Sequence, residues 1–336
     1  MSNFFKVKEH GSTVRTEIMA GVTTFMAMAY ILMVNAGMFS SLGTVSYGAI
    51  YIATAISAVI GTVLIGLLSN LPLAQASGMG LNAFFVYTVC FTFGLSYANA
   101  LVLVLVDGIV FVLLTVTGLR KMIFDAIPAA VKTAISAGIG LFIAFIGLQN
   151  SGLCVDSATL VGIISFPENF HTAGICALLT LIGLFFTAVF YTRKMKGAIL
   201  YGILLTWILG MLCQVTGLYV PTPDAGFYSL FPSWGMTDFS KLGLTFGQCF
   251  NVDFSAVGIV NFIVVIFSFL FVDIFDTLGT LIGVATKAKM LDKDGKLPGI
   301  KPALLADSIA TSAGAILGTS TTTTFVESAS GVAVGG

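Results

Sequence analysis

The chain has 336 residues, of which 57% are hydrophobic and only 9% charged, with a formal net charge of zero. A soluble domain is roughly half apolar and a quarter charged, so water cannot be the solvent for most of this chain. Zero net charge also removes the electrostatic case for nucleic-acid binding.

The apolar residues fall in blocks of about 20, the length a helix needs to cross about 30 Å of hydrocarbon. In chain order they predict spans near Ile18 to Phe39, Tyr47 to Leu68, Gly78 to Phe93, Ala98 to Gly118, Pro128 to Gln149, His171 to Tyr191, Gly197 to Gly217, Ala256 to Ala285 and Ala303 to Gly318, with a tenth beginning near Phe325. Lys6, Lys8, Glu9, His10, Arg15 and Glu17 precede the first block with no small-residue cleavage pattern, which makes it a retained span rather than a signal peptide. With the N-terminus in the cytoplasm, the inner segments are 1–17, 119–132, 192–196 and 286–302. They hold every one of the fifteen Lys and Arg residues except Lys241, as the positive-inside rule requires of a multi-pass protein of the plasma (cytoplasmic) membrane. The lysines from Lys287 to Lys301, around a turn at Asp292-Lys-Asp-Gly295, belong to that signal. The five cysteines are scattered with no CxxC pair, and with two histidines they build neither a metal site nor a cofactor site.

Two segments break the helical pattern. Asn70-Leu-Pro-Leu-Ala-Gln-Ala-Ser-Gly78-Met-Gly80-Leu-Asn82 places Pro72, small residues and two glycines where the third span should begin. Gly318-Thr-Ser-Thr-Thr-Thr-Thr324-Phe-Val-Glu327 is β-branched and favours extended backbone before a helix resumes. The segments ahead of the breaks are weakly alike at an offset of about 252 residues, as in Ala53-Thr-Ala-Ile56 against Ala306-Asp-Ser-Ile309. An odd number of spans lies between equivalent points, so the second copy is inverted. Interrupted segments in an inverted repeat point to the binding site of a secondary transporter.

Five acids fall inside the predicted spans, Asp107, Asp273, Asp276, Asp307 and Glu327, and no Lys or Arg does. Each carboxylate at mid-membrane costs about 2.5–3.5 kcal/mol on insertion scales, so all five must face protein, water or solute. With no cation in the spans, relief has to come from protonation or hydrogen bonding. In Phe271-Val-Asp273-Ile-Phe-Asp276-Thr277-Leu-Gly279-Thr280-Leu-Ile-Gly283, helical spacing sets Asp273, Asp276 and Thr280 on one stripe, with Gly279 and Gly283 permitting close helix approach. Two carboxylates one turn apart repel in apolar surroundings, which makes one of the pair a candidate proton carrier. Gly78-Met-Gly80-Leu-Asn82 opens a half-helix whose N–H groups face a cavity, and the Asn82 amide both donates and accepts. Phe325 beside Glu327 suits a flat heterocycle bearing N–H groups, by stacking and charge-assisted hydrogen bonding. There is no GxxxxGK[ST] loop for ATP and no buried nucleophile constellation, so the chain reads as a carrier, not an enzyme.

Val14-Arg15-Thr16-Glu17-Ile18-Met-Ala-Gly21 with Met28-Ala-Tyr30-Ile31, then Gly78-Met-Gly80-Leu-Asn82-Ala-Phe84, Phe271-Val-Asp273-Ile-Phe-Asp276-Thr-Leu-Gly279-Thr280 and Thr319-Ser-Thr-Thr-Thr-Thr-Phe-Val-Glu327-Ser328 resemble, from end to end and in order, the AzgA-like purine permeases of the nucleobase:cation symporter family. The resemblance implies an all-α polytopic fold of fourteen spans in two inverted seven-span repeats, a core moving against a gate, with extended breaks in spans 3 and 10. On that plan residues 1–17 are a cytoplasmic N-terminus, 18–118 are core spans 1 to 4, 119–217 are gate spans 5 to 7, 218–255 an extracellular loop, and 256–336 core spans 8, 9 and the start of 10. About ten of the fourteen spans are then present, span 11 and gate spans 12 to 14 are absent, and transport by this chain alone is expected to be impaired. The resemblance further implies proton-coupled import of adenine, guanine or hypoxanthine, with a proton rather than sodium as the coupling ion and a homodimer as one arrangement open to it. Its substrate residues fall on Gly80, Asn82, Asp273, Phe325 and Glu327, its proton-coupling residues on Asp276 and Glu327, with Gly279 and Thr280 in support. A same-fold carrier of uracil, xanthine or an inorganic anion, or a non-transporting fragment or channel, stands as the alternative.

Overall fold

A computed structural model describes residues 5–9, 11–126, 128–158, 160–195, 197–223, 226–232, 238–252, 258–288, 290 and 297–335. His10 and the expected turn at Asp292 to Gly295 lie outside these residues. The chain forms two compact units, one of residues 1–139 and 237–336 and the other of residues 140–236.

The first unit opens with α1 (Val14–Met28), whose Thr13 cap accepts a hydrogen bond from the Thr16 N–H at 3.2 Å, and continues through α2 (Tyr30–Ser40) and α3 (Tyr47–Ser69). Asn70 ends α3 in the left-handed conformation, and the chain extends into β1 (Gln75–Ser77) before turning helical again in α4 (Met79–Ala83) and a wider π turn over Phe84–Thr92. Then come α5 (Tyr97–Val116), capped by Ser96, α6 (Leu119–Ala126) and α7 (Ala129–Asn150), whose residues from 140 onward belong to the second unit. The second unit holds the hairpin of β2 (Cys154–Ser157) and β3 (Leu160–Ile163), then α8 (Phe166–Asn169), α9 (Ile175–Thr192) and α10 (Ala198–Val215). The chain returns to the first unit through α11 (Ile259–Lys287), α12 (Ile300–Leu317), β4 (Thr322–Thr324) and α13 (Ser328–Ala333).

Among the described residues seven helices are long and apolar enough to cross a membrane, and Met79–Thr92 and Gly140–Asn150 are shorter apolar helices. The tenth expected span appears as the six residues of α13. The hairpin of β2 and β3 was not anticipated, because Cys154 to Ile163 lacks a clean alternation of polar and apolar residues. Lipid as the solvent inverts the usual layering. On α11, Val260, Ile263, Val264, Phe267 and Phe271 are exposed, while Val265, Phe269, Asp273, Ile274, Thr277 and Leu278 face inward. Gly283, expected to permit close helix approach, instead has open space among the described residues where a Cβ would stand.

Both breaks prove extended, and they pair with each other. Gln75 lies opposite Thr324, Ala76 opposite Thr323 and Ser77 opposite Thr322, antiparallel, so two runs of helix, strand and helix meet along their strands. Backbone bonds continue past the strands, from the Gly78 N–H to the Thr321 carbonyl at 3.0 Å and from the Phe325 N–H to the Ala74 carbonyl at 2.9 Å. In lipid such pairing is what makes irregular backbone tolerable. Hydroxyls lock the pair to the flanking helices: Ser57 and Thr322 share a hydrogen bond of 2.5 Å, and Thr311 donates to the Thr322 carbonyl at 3.0 Å.

Close helix contacts surround this crossing. A Cβ on Gly108 of α5 would stand 2.9 Å from the Ser312 backbone nitrogen of α12. In the second unit α9 and α10 interlock reciprocally, since a Cβ on Gly183 would overlap Thr206 and one on Gly202 would overlap Thr187. Overpacking a tight contact costs about 1–3 kcal/mol. Gly108→Val is therefore expected to lower stability by that amount, whereas Gly37→Ala, with nothing within 4 Å of its Cβ, is expected to be close to neutral; denaturant unfolding in detergent checks both.

Candidate functional site at the strand crossing

The crossing of β1 and β4 positions the expected site residues. Asn82 follows the end of β1 and Glu327 the end of β4, so antiparallel pairing sets them at opposite ends of the strand pair. Asn82 is fully buried; its Oδ1 accepts a hydrogen bond from Ser320, and its Nδ2 donates to the Ser77 carbonyl at 3.4 Å. Glu327 is half-buried, and its Oε1 accepts the Tyr30 hydroxyl of α2 at 2.6 Å. Asp276, on α11, sits beside the middle of the pair, where Thr323 donates to its Oδ2 at 3.3 Å. It lies within electrostatic reach of Glu327.

Gly78 has a steric reason to be glycine. A Cβ there would overlap the Thr323 methyl and stand 3.2 Å from the Asp276 carboxylate. Gly80, in the first turn of α4, is half-buried. The sequence motif thus marks a place where α11, β1 and β4 come together, in addition to a helix start.

The two aspartates of the α11 motif have different surroundings. Asp276 remains partly accessible, but Asp273 is fully buried and takes a hydrogen bond from Thr277 at 3.0 Å. Thr277 lies equally 3.0 Å from Asp307 of α12, so one hydroxyl proton serves two carboxylates. Thr280 is buried on the same helix, and Gly279 is half-buried. Phe325, expected to stack on a ligand, is 7% exposed and packs with Met28, Ile31, Ala74 and Ala76.

The expectation that no cation relieves the buried acids is overturned by Arg120. Read from the sequence as part of an inner loop, it begins α6 and is fully buried. Gly118, at φ 78°, turns the chain after α5, and the long side chain runs back into the bundle. Its Nη2 donates to Asp307 Oδ2 at 3.1 Å, and its Nη1 to Ser308 Oγ at 3.0 Å and to the Leu304 carbonyl at 3.2 Å. The guanidinium also lies over the Phe111 ring, 4.1 Å from its centroid. Gln75 of β1 donates to the other Asp307 oxygen at 3.4 Å, linking the ion pair to the strand crossing. Neither Arg120 nor Tyr30 carries a sequence signal for these roles, because both depend on contacts across the bundle.

Removing one partner of a buried ion pair leaves the other charge uncompensated, at a cost of about 3–5 kcal/mol. Arg120→Ala is expected to destabilise the protein by that amount in denaturant unfolding. The double variant Arg120→Met with Asp307→Leu, which removes both charges, is expected to recover most of the loss.

A sequence profile of the Permease family matches residues 15–336. The guanine/hypoxanthine permease PbuG of Bacillus subtilis is 42% identical over 344 residues, which cover all of this chain and 73% of that protein. The adenine permease AdeP of Escherichia coli is 37% identical over 340 residues, covering all of this chain and 70% of its own length. Among solved structures, the transmembrane domain of the cyanobacterial bicarbonate transporter BicA matches with a TM-score of 0.53 over 96% of this chain and 78% of that one, at 13% identity, a likeness of fold alone. The resemblance drawn from the motifs therefore holds along the whole sequence, and this membrane-type helical chain belongs to the Permease family.

Proposed function

We propose that this chain is a purine nucleobase carrier of the plasma membrane, with its N-terminus in the cytoplasm, that takes up adenine, guanine or hypoxanthine together with a proton. The observation that carries this reading is the strand crossing, where two interrupted segments and α11 set a half-buried glutamate and a half-buried aspartate on one side and a buried amide at the opposite end of the strand pair. The names borne by relatives such as PbuG and AdeP support a purine as the solute.

A purine presents N–H donors and ring-nitrogen acceptors on the edge of a flat ring. Glu327, held by Tyr30, accepts N–H groups in charge-assisted hydrogen bonds. Asn82 and the backbone around Gly80 set the other end, and Asp276, beside Glu327, carries the coupled proton. Asp273 stands behind the locus, and Phe325 supports it from the core. Proton and base bind together if protonation of Asp276 removes its repulsion with Glu327, and coupling is then reciprocal. The core made by residues 18–118 and 256–336 moves against gate spans 5 to 7 within 119–217.

A charge-assisted hydrogen bond contributes about 1.5–3 kcal/mol. Glu327→Gln and Asp276→Asn are thus each expected to lower uptake of labelled adenine, guanine or hypoxanthine by about tenfold or more. A protonophore is expected to abolish accumulation. Uracil uptake without competition from purines, or full uptake by both variants, would overturn the assignment.

A further inference from the structure

Behind the strand crossing, three carboxylates meet one guanidinium. Asp107 of α5, Asp273 of α11, Asp307 of α12 and Arg120 of α6 are all fully buried. The cation is committed to Asp307, with Ser308, Gln75 and Thr277 adding hydrogen bonds to that pair. Asp107 and Asp273 are left facing each other within hydrogen-bonding reach. Among the described residues no donor reaches either oxygen of Asp107 or the Oδ2 of Asp273. Ionised carboxylates are acceptors only, so two of them in contact have no bond to make and repel. One proton between them turns that contact into an O–H···O⁻ hydrogen bond, the arrangement that carboxylate pairs adopt when both cannot ionise.

We infer that Asp107 and Asp273 hold one resident proton between them, a proton site separate from the carboxylates at the strand crossing. The charged groups facing Asp107 are Arg120, Asp307 and Asp273, and those facing Asp273 are Asp107, Asp307, Arg120 and, along its own helix, Asp276. Arg120 directs its hydrogen bonds to Leu304, Ser308 and Asp307 of α12 and leaves its Nε without an acceptor among the described residues, so it lends the pair a nearby positive charge but no hydrogen bond. Close approach of α5 to α12 at Gly108, one residue after Asp107, keeps this face of the bundle tight. The shared proton would tie α5 to α11 and fix the helix that carries Asp276 toward the crossing. Asp107 is thereby a positioning residue for the proposed site, with no contact to the solute.

The test uses the purified chain in detergent with Asp276→Asn and Glu327→Gln as background, so that Asp107, Asp273 and Asp307 are the remaining buried acids among the described residues. Infrared spectroscopy is expected to show a protonated-carboxyl band that persists on raising the pH through neutrality and is lost on adding either Asp107→Asn or Asp273→Asn. An absent band in the background, or a band that survives both additions, would overturn the proposal. Unfolding in the wild-type chain gives an independent reading, since the amide introduced by Asp107→Asn can donate to Asp273 much as the shared proton does. Asp107→Asn is expected to keep the unfolding midpoint while Asp107→Ala lowers it, and an Asn variant as damaged as the Ala variant would refute a shared proton. Neither measurement requires transport, so failure of the purine assignment would leave both outcomes readable.

Discussion

Non-helical backbone inside a lipid bilayer has to find hydrogen-bond partners within the protein, because hydrocarbon offers none. Pro72 and the run of hydroxyl residues from Thr319 to Thr324 interrupt two helices at membrane depth, and each interruption frees N–H and C=O groups. The chain resolves both at once by pairing Gln75–Ser77 with Thr322–Thr324. Each break is therefore the partner that makes the other tolerable. Because the pairing is antiparallel, it also sets Asn82 and Glu327 at opposite ends of the pair, with Thr323 donating to Asp276 of α11 between them.

Polarity is layered around that pair. Serine and threonine hydroxyls from α3 and α12 brace the strands, and Asn35 of α2 donates to Thr54 at 2.7 Å and to Thr319 at 2.9 Å. Further out lies the cluster built on Arg120 and Asp307, joined to the strands through Gln75. Charges are costly in such surroundings unless paired and hydrogen-bonded, so the ion pair and its donors hold the bundle to one geometry while Glu327 and Asp276 keep some exposure.

Much of the fold was legible because membrane solvation acts on composition over blocks of twenty residues. Tyr47–Ser69, Tyr97–Val116, Ala198–Val215 and Ile300–Leu317 lie within a few residues of the spans expected from apolar length. The two breaks were visible through proline, glycine and β-branched residues, whose backbone preferences are local. Gly283 shows the limit of that reasoning: a glycine permits close approach, but only a facing helix creates one, and here none faces it among the described residues.

By itself the sequence determined that the chain spans a membrane, where its helices are interrupted, and which acids would have to be accounted for inside. Those properties follow from transfer free energies and local backbone preference, which act on each segment alone. Tertiary structure decided that the interruptions pair with each other, that Asp273 turns toward Asp107 while Asp276 stays by the crossing, and that Arg120 leaves an apparent loop to meet Asp307. These depend on which helix faces which, and a contact between residues 187 positions apart in sequence leaves no periodic trace for a local pattern to reveal.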